Sequence, residues 1–106
     1  MLEAGELTDT SYYILLSLVE AKHGYLVMKT IDQMTNNRVS IGPASMYTTI
    51  KKLLSAGLIG LHSKETSKKK TYLTTEKGLQ ILKSEVQRRQ EMVECAKKIL
   101  KQKGVL

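Results

Sequence analysis

Apolar residues recur at helical spacing in two successive segments at the start of the chain. The first segment begins at Thr8 or Asp9, either of which can accept amide protons of a first turn, and Gly24 is expected to stop it. Its apolar positions are Tyr12, Leu15, Leu16 and Val19. The second segment ends at Asn36 and Asn37, because asparagine tolerates the left-handed backbone of a turn. Its predicted inward face is Tyr25, Met28, Ile31 and Met34.

A third helical segment begins at Pro43, the single proline of the chain. The fixed φ of proline and its missing amide proton suit the first turn of a helix. We therefore expect a helix from Pro43 to Ser55 that Ala56 and Gly57 close. Its predicted inward residues are Met46, Ile50, Leu53 and Leu54. Its predicted outward residues are small and polar or basic: Ser45, Thr48, Thr49, Lys51 and Lys52.

Two short segments with the character of strands flank a basic run. Residues 58–62 are short and largely apolar, and residues 71–74 are β-branched and aromatic. The run between them contains no apolar residue from residue 64 to residue 70 and holds Lys64, Lys68, Lys69 and Lys70. We expect a two-stranded hairpin with a basic tip; the alternative is a disordered basic loop. For Tyr72, packing within the strand and contact with a partner are both open.

The last third of the chain is predicted to be one long helix that Thr74 or Thr75 can cap. Its apolar residues form a heptad seam, in which Arg89 fills one step. The seam and its flank comprise Leu79, Leu82, Val86, Arg89, Met92, Val93, Ala96 and Leu100. The chain has too few other elements to cover this seam, so we expect the same helix of a second chain to cover it, with Tyr12 beside the interface. The alternative is a helix that folds back on its own domain.

These elements follow in the order α-α-α-β-β-α, which is the order of a winged helix-turn-helix. We therefore predict a mainly α fold with a small β-hairpin, an α+β class. Residues 1–74 are expected to form the winged helix-turn-helix domain, and residues 75–106 the dimerisation helix. The two parts are expected to form one compact unit.

Positive charge is concentrated in the middle of the chain. The 106 residues carry 17 Lys and Arg against 10 Asp and Glu, a net charge of +7. Residues 36–74 hold seven of these bases against one acid, whereas residues 1–35 hold two bases against five acids. A basic module of this kind favours a polyanion, most simply nucleic acid. The alternative is a solvated, lysine-rich surface.

The third helix and the hairpin tip are the parts expected to bind double-stranded DNA. A single α-helix fits the major groove and reads base edges with side chains near its N-terminus. Short polar side chains let such a helix seat deeply, free amides of the first turn suit a phosphate, and lysines meet phosphates. The candidate residues are Gly42, Pro43, Ala44, Ser45, Thr48, Thr49, Lys51, Lys52, Lys64, Lys68, Lys69 and Lys70.

Four short motifs resemble those of the bacterial PadR-type regulators, the group named for the phenolic acid response. They are HGY at residues 23–25, SIGPASMY at 40–47, LLSAGLI at 53–59 and YLTTEKG at 72–78. They occur in the order and at the intervals found in similar proteins, and the resemblance covers about residues 7–80.

The resemblance implies a homodimeric, sequence-specific transcriptional regulator, usually a repressor, on a palindromic operator. It implies that Tyr25 and Tyr47 hydrogen-bond backbone phosphates, adds Ser40 to the candidate DNA-binding residues, and makes the C-terminal helix the dimerisation element. A small-molecule effector is a further partner of such regulators. Ligand-binding members of the short-tailed branch stack flat drugs on a tryptophan at the dimer interface. This chain has no tryptophan, so a dry, packed interface is expected.

The sequence shows no signature of catalysis, metal binding or membrane insertion. It lacks a Ser-His-Asp arrangement, a glycine-rich phosphate loop and an HExxH motif, so no enzyme is expected. No acidic cluster accompanies His23 or His62, so we expect neither a metal nor a cofactor. No apolar run approaches the roughly 20 residues of a membrane span, so a cytoplasmic protein without membrane contact is expected. We interpret Cys95 as a helix-face residue rather than a redox sensor.

Two other functions suit the same fold. One is a winged-helix module that docks an acidic protein, and the other is an architectural or plasmid-segregation DNA binder. A protein-docking surface is expected to expose large apolar anchors, whereas the outer face of the third helix carries Ser, Thr and Lys. The residues therefore favour DNA.

Overall fold

The computed structural model describes residues 6–64 and 70–106, with residue 64 described for its backbone only. In chain order the elements are α1 (Asp9–Ser17), β1 (Lys22–His23), α2 (Gly24–Met34), α3 (Pro43–Ser55), β2 (Ile59–Lys64), β3 (Lys70–Thr74) and α4 (Glu76–Gln102). Three helices, a small sheet and a long last helix confirm the predicted winged helix-turn-helix.

Side-chain caps fix the starts of the first and last helices. The hydroxyl of Thr8 accepts the Ser11 amide at 3.1 Å, and the hydroxyl of Thr75 accepts the Gly78 amide at 3.1 Å. Each hydroxyl satisfies an amide that has no partner within its own helix. Pro43 is the first residue of α3, as its fixed φ predicts.

Left-handed backbone ends two of the helices where the sequence predicts it. Asn36 and Asn37 follow α2 with φ values of 52° and 62°. Gly57 follows α3 with φ 75°, which glycine adopts without the steric cost of a Cβ atom. These positive φ values turn the chain sharply on both sides of α3, so they set its direction relative to the rest of the domain.

The core lies between α1, α2, α3 and the sheet. Its fully buried side chains are Ile14, Leu15, Leu18, Val27, Ile31, Met46, Leu53 and Leu58, with Ile50 nearly so. The predicted inward face of α2 is wrong at two positions, because Tyr25 and Met34 are 59% and 42% exposed. The helix buries Gly24, Val27 and Ile31 instead, a row at three- and four-residue spacing.

Three further details of the first helices differ from the prediction. Gly24 does not stop the first helix: α1 ends at Ser17, and Gly24 is the first residue of α2. Val19 lies past the end of α1 and is exposed, and Leu54 on α3 is also exposed. The apolar spacing places Val19 inward only if the helix continues, but α1 has already ended. Leu54 lies one position past Leu53, the last residue of the buried stripe of α3.

The sheet has three antiparallel strands in the order β1-β3-β2, rather than the two predicted. The added strand is only Lys22–His23, which pairs with Tyr72 and Thr71 of β3. Two residues are too few for a period-two pattern, so sequence periodicity gave no sign of this strand. The β2–β3 pairing shifts register between Leu61 and Ser63, which leaves His62 without a direct partner.

A close approach joins α4 to the sheet. A Cβ atom placed on Gly78 would lie 2.2 Å from the carbonyl oxygen of Leu58 and 2.7 Å from the Thr74 side chain. The hydroxyl of Thr74 also donates to the Leu15 carbonyl at 2.9 Å. Glycine at position 78 therefore lets the first turn of α4 rest directly on the backbone of the domain.

Candidate nucleic-acid interface

One face of α3 is anchored in the core and the opposite face is open to solvent. Met46, Ile50 and Leu53 are buried at the spacing of a helical stripe. The residues on the open face are Ala44, Ser45, Tyr47, Thr48, Lys51 and Lys52, with Thr49 half-buried at its edge. The helix holds no acidic residue. The structure thus brings the predicted small polar and basic residues together on a single surface.

The start of α3 belongs to the same surface. Gly42 is its N-cap and provides no side-chain hydrogen bond, so no capping side chain occupies the amides of the first turn. Ser40, Gly42 and Pro43 are all exposed. A free helix start with its positive dipole end suits a phosphate oxygen.

Tyr25 stands on α2 with its ring 59% exposed. The ammonium of Lys29 lies 5.5 Å from the centre of that ring, in a cation–π arrangement. Lys29 is not among the residues that the sequence predicts to bind DNA. Its position beside Tyr25 adds a positive charge to one of the predicted phosphate contacts.

A cleft of about 630 Å³ separates α3 from the sheet. Its lining residues are Gly24, Tyr47, Ile50, Lys51, Leu54, Lys70 and Tyr72. The ring of Tyr72 is only 8% exposed, which confirms packing within the strand. Burial, together with the nearby phenol of Tyr47, raises the pKa of Tyr72 above its ordinary value. Sequence reasoning left contact of Tyr72 with a partner open, and it missed Gly24 as part of this surface because it interpreted that glycine only as a helix stop.

The basic tip of the predicted hairpin falls largely outside the described residues. Lys68 and Lys69 lie there, and the structure describes Lys64 only as the last backbone position of β2. Lys70 opens β3 and is exposed. The backbone of Lys64 pairs with that of Lys70, so the strands of the predicted hairpin are present on either side of the tip.

The predicted dimerisation residues on α4 fall into two groups. Leu82 is 5% exposed and packs in the core of its own chain, and Leu79 is half-buried. The others are exposed in the isolated chain: Val86, Met92, Val93, Ala96 and Leu100. The first group has partners already, whereas the second forms an uncovered apolar stripe.

Arg89 ties α4 to α1 instead of projecting from the seam. Its guanidinium bonds to the Asp9 carboxylate at 2.9 Å, to the Leu7 carbonyl at 3.1 Å and to the Glu85 carboxylate at 3.0 Å. It also lies 4.2 Å from the centre of the Tyr12 ring. Arg89 and Tyr12 therefore contact each other at the junction of the two helices.

Within residues 6–64 and 70–106, no group of three His, Cys, Asp or Glu side chains is placed to hold a metal ion. No helix in these ranges is long and apolar enough to cross a membrane. Cys95 is an exposed residue on the surface of α4.

Comparison with known sequences gives one match. The sequence profile of the transcriptional regulator PadR-like family matches residues 14–84. No curated protein matches the chain. The match covers α1 from Ile14, all of the sheet, α2, α3 and the start of α4.

Several solved structures share the fold. A transcriptional regulator from Clostridium thermocellum is 22% identical with a TM-score of 0.65, over 89% of this chain and 90% of that one. A PadR family transcriptional regulator from Eggerthella lenta is 23% identical with a TM-score of 0.70, over 84% and 75% of the two chains. PadR from Bacillus subtilis, solved in complex with operator DNA, is 24% identical with a TM-score of 0.64, over 74% of this chain and 47% of that one.

Proposed function

Because the chain belongs to the PadR-like family of transcriptional regulators, we propose that it is a homodimeric repressor that binds a palindromic operator in double-stranded DNA. In this proposal α3 is the recognition helix and enters the major groove. The hairpin of β2 and β3 is the wing, which lies over the neighbouring backbone. Residues 75–106 form the dimerisation helix of a single unit with the winged domain.

The observation that carries the DNA proposal is the open face of α3. It presents Ser45, Thr48 and the half-buried Thr49 as short side chains for base edges, and Lys51 and Lys52 as cations for phosphates. Short side chains let the helix axis approach the base pairs, and the ammonium groups supply salt-sensitive affinity. The likeness in fold to Bacillus subtilis PadR, which was solved in complex with operator DNA, supports DNA as the partner of this surface.

The dimer proposal is supported by the uncovered stripe on α4. This helix has 27 residues and is therefore about 40 Å long. Every residue from position 90 to the end of the chain is exposed in the isolated chain. A groove lined by Leu79, Leu82 and Val86 continues the stripe toward the winged domain. We propose that the partner chain covers this stripe and groove.

Binding to a palindrome in this proposal follows from the geometry of a two-fold dimer. Two recognition helices about one DNA turn apart, roughly 34 Å, match the half-sites of a palindrome. A small effector would act by changing the angle between the two long helices, because that angle sets the spacing of the recognition helices. Phosphate contacts from Tyr25 and Tyr47 would fix the register of each half on the duplex.

The test is fluorescence anisotropy of the full chain on labelled duplex DNA from its own upstream region, against a random duplex of equal length at near-physiological salt. We expect tighter binding to the upstream duplex, with two chains per site. Equal, weak binding to both duplexes would contradict sequence-specific regulation and favour an architectural DNA binder. No binding to either duplex would instead favour a protein partner for the basic surface.

A further inference from the structure

The cleft between the recognition helix and the wing has the chemistry of a single anion site. Its lining includes two lysines and two tyrosines, and none of the described residues that line it is acidic. Building on the proposed function, we propose that this cleft seats one phosphate of the DNA backbone, held jointly by Lys51, Lys70, Tyr47 and Tyr72. The phosphate would thereby fix the wing and the recognition helix at a common point on the duplex.

The two cations come from different elements and face the same space. Lys51 projects from α3 and Lys70 from the start of β3, and both are exposed at the cleft. No ion pair within residues 6–64 and 70–106 involves either ammonium. Lys22, by contrast, lies on β1 beside Tyr72 but donates to the Ser17 carbonyl at 2.7 Å. The cleft therefore draws its positive charge from one residue of the helix and one of the wing.

The two phenol groups add neutral donors. The ring of Tyr72 is held in the core, so its hydroxyl has a fixed position. Tyr72 is among the residues that line the cleft, so we place its hydroxyl within reach of an anion there. Because burial and Tyr47 raise the pKa of Tyr72, the group keeps its proton at neutral pH and can donate it to an anionic oxygen.

Gly24 makes room for the second phenol. A Cβ atom at this position would lie 2.9 Å from the Tyr47 hydroxyl oxygen and 2.9 Å from the Met46 methyl group. Gly24 is not among the residues with positive φ, so alanine can adopt its backbone conformation. Space, rather than backbone freedom, is what glycine provides here. Gly24 is therefore a positioning residue, which lets the Tyr47 ring lie over the start of α2 and reach the cleft.

A double-mutant cycle tests whether the Lys70 ammonium and the Tyr72 hydroxyl hold the same phosphate. Tyr72→Phe removes only the hydroxyl, and Lys70→Gln removes only the charge. Each change is expected to weaken DNA binding by about threefold to tenfold. Because both groups hold one phosphate, the double variant should bind at least about threefold more tightly than independent effects would give. Additive losses, or no loss from either single change, would overturn the proposal.

The salt dependence of binding separates the two kinds of contact. Lys51→Gln and Lys70→Gln should each reduce the magnitude of the log–log salt slope by about one, whereas Tyr72→Phe should leave the slope unchanged. Lys103→Gln is the matched control, because this exposed lysine lies beyond the end of α4 and its removal costs the same charge. An equal change of slope for Lys103→Gln would mean that overall charge, and not the cleft, sets the dependence.

The positioning role of Gly24 has its own test. Gly24→Ala should displace the Tyr47 hydroxyl and weaken DNA binding as much as Tyr47→Phe does, with the melting temperature unchanged. Gly60→Ala is the control, since the nearest atom to its added Cβ lies at an ordinary 3.7 Å. DNA binding by Gly24→Ala equal to that of the unaltered chain would overturn this role.

The cycle is measured on both the upstream duplex and the random duplex. Backbone phosphates are present in every sequence, so coupling between Tyr72 and Lys70 is expected on both. Coupling on the random duplex without any preference for the upstream duplex would support the phosphate site in the cleft and contradict sequence-specific regulation. Preference for the upstream duplex without coupling would support sequence-specific regulation and contradict the phosphate site.

Discussion

The two halves of α4 share one secondary structure and have opposite surroundings. Residues 76–89, here the near half, rest on the winged domain and bury Gly78, Leu82 and Glu85. Residues 90–102, here the far half, bury nothing in the isolated chain. Even so, the far half carries Met92, Val93, Ile99 and Leu100 as exposed apolar side chains.

In the proposed dimer, the two halves of this one helix are stabilised by different sources. The near half gains its stability from tertiary packing, as most protein helices do. A helix as short as the far half is marginal in water by itself. Apart from the backbone hydrogen bonds of the helix, its internal support comes from side-chain contacts such as Gln90 with Glu94 at 3.1 Å and Lys97 with Glu94 at 3.8 Å. Exposed pairs of this kind contribute little to stability. The far half therefore has little support in the isolated chain, in agreement with the partner chain that we propose for it.

The largest effect is expected in the near half, for Gly78→Ala. The added Cβ would meet the Leu58 carbonyl oxygen at 2.2 Å, and a backbone atom cannot move aside as a side-chain end can. We expect a loss of about 3 kcal/mol or more in the free energy of unfolding, measured by urea denaturation. Gly104→Ala provides no such clash, although its positive φ imposes a small local cost. A fully stable Gly78→Ala chain would show that the near half is not held by this contact.

The next effect is expected in the far half, for Val93→Asp. A carboxylate in an apolar seam loses its hydration without gaining a partner. We expect the dimer dissociation constant to rise at least about 100-fold, or about 2.8 kcal/mol, by sedimentation. The resulting monomer should also lose helix signal in circular dichroism, because its far half is uncovered.

Gln90→Asp is the matched control for this change. It adds the same charge to the same helix at an exposed polar position outside the seam. We expect it to remain dimeric. A Val93→Asp chain that stays dimeric, or a Gln90→Asp chain that dissociates equally, would contradict the assignment of the far half to dimerisation.

Local features of the fold could be predicted from single residues. Four residues act through their own backbone preferences, so their roles do not depend on distant neighbours: Asn36, Asn37, Pro43 and Gly57. The exposed basic face of α3 followed equally well from helical spacing. The hydroxyl caps at both ends of the winged domain belong to the same class of local signals.

The features that could not be predicted depend on contacts between distant segments. Gly24 has the sequence character of a helix stop, yet its function is to leave space for Tyr47 from another helix. Strand β1 exists only because β3 offers it an edge. The buried ion pairs of Glu85 with two arginines could not be predicted for the same reason. The spacing of Glu85, Arg88 and Arg89 indicates ion pairs on a helix surface, but not that the fold would bury the carboxylate.

The smallest of the three effects concerns that carboxylate in the near half. Glu85 is 1% exposed, and it accepts two bonds from Arg88 at 2.8 Å and one from Arg89 at 3.0 Å. Hydrogen bonding from Arg88 lowers the pKa of Glu85 from 4.5 to about 2; burial opposes this change, and Arg89 reinforces it. Because the folded pKa is lowered, the stabilisation is present above about pH 4.5 and is lost as the pH falls toward about 2.

Glu85→Gln should therefore lower the free energy of unfolding by about 2 kcal/mol at pH 7, since it removes a buried carboxylate from two guanidinium partners. The difference in the free energy of unfolding between this variant and the unaltered chain should decrease by about 2 kcal/mol between pH 7 and pH 3. Urea denaturation at both pH values, at one protein concentration, measures this difference. Glu91→Gln, an exposed carboxylate of the far half, should produce no such pH-dependent gap. If the two variants respond alike to acid, the buried charge does not stabilise the near half. The two halves would then differ in apolar packing alone.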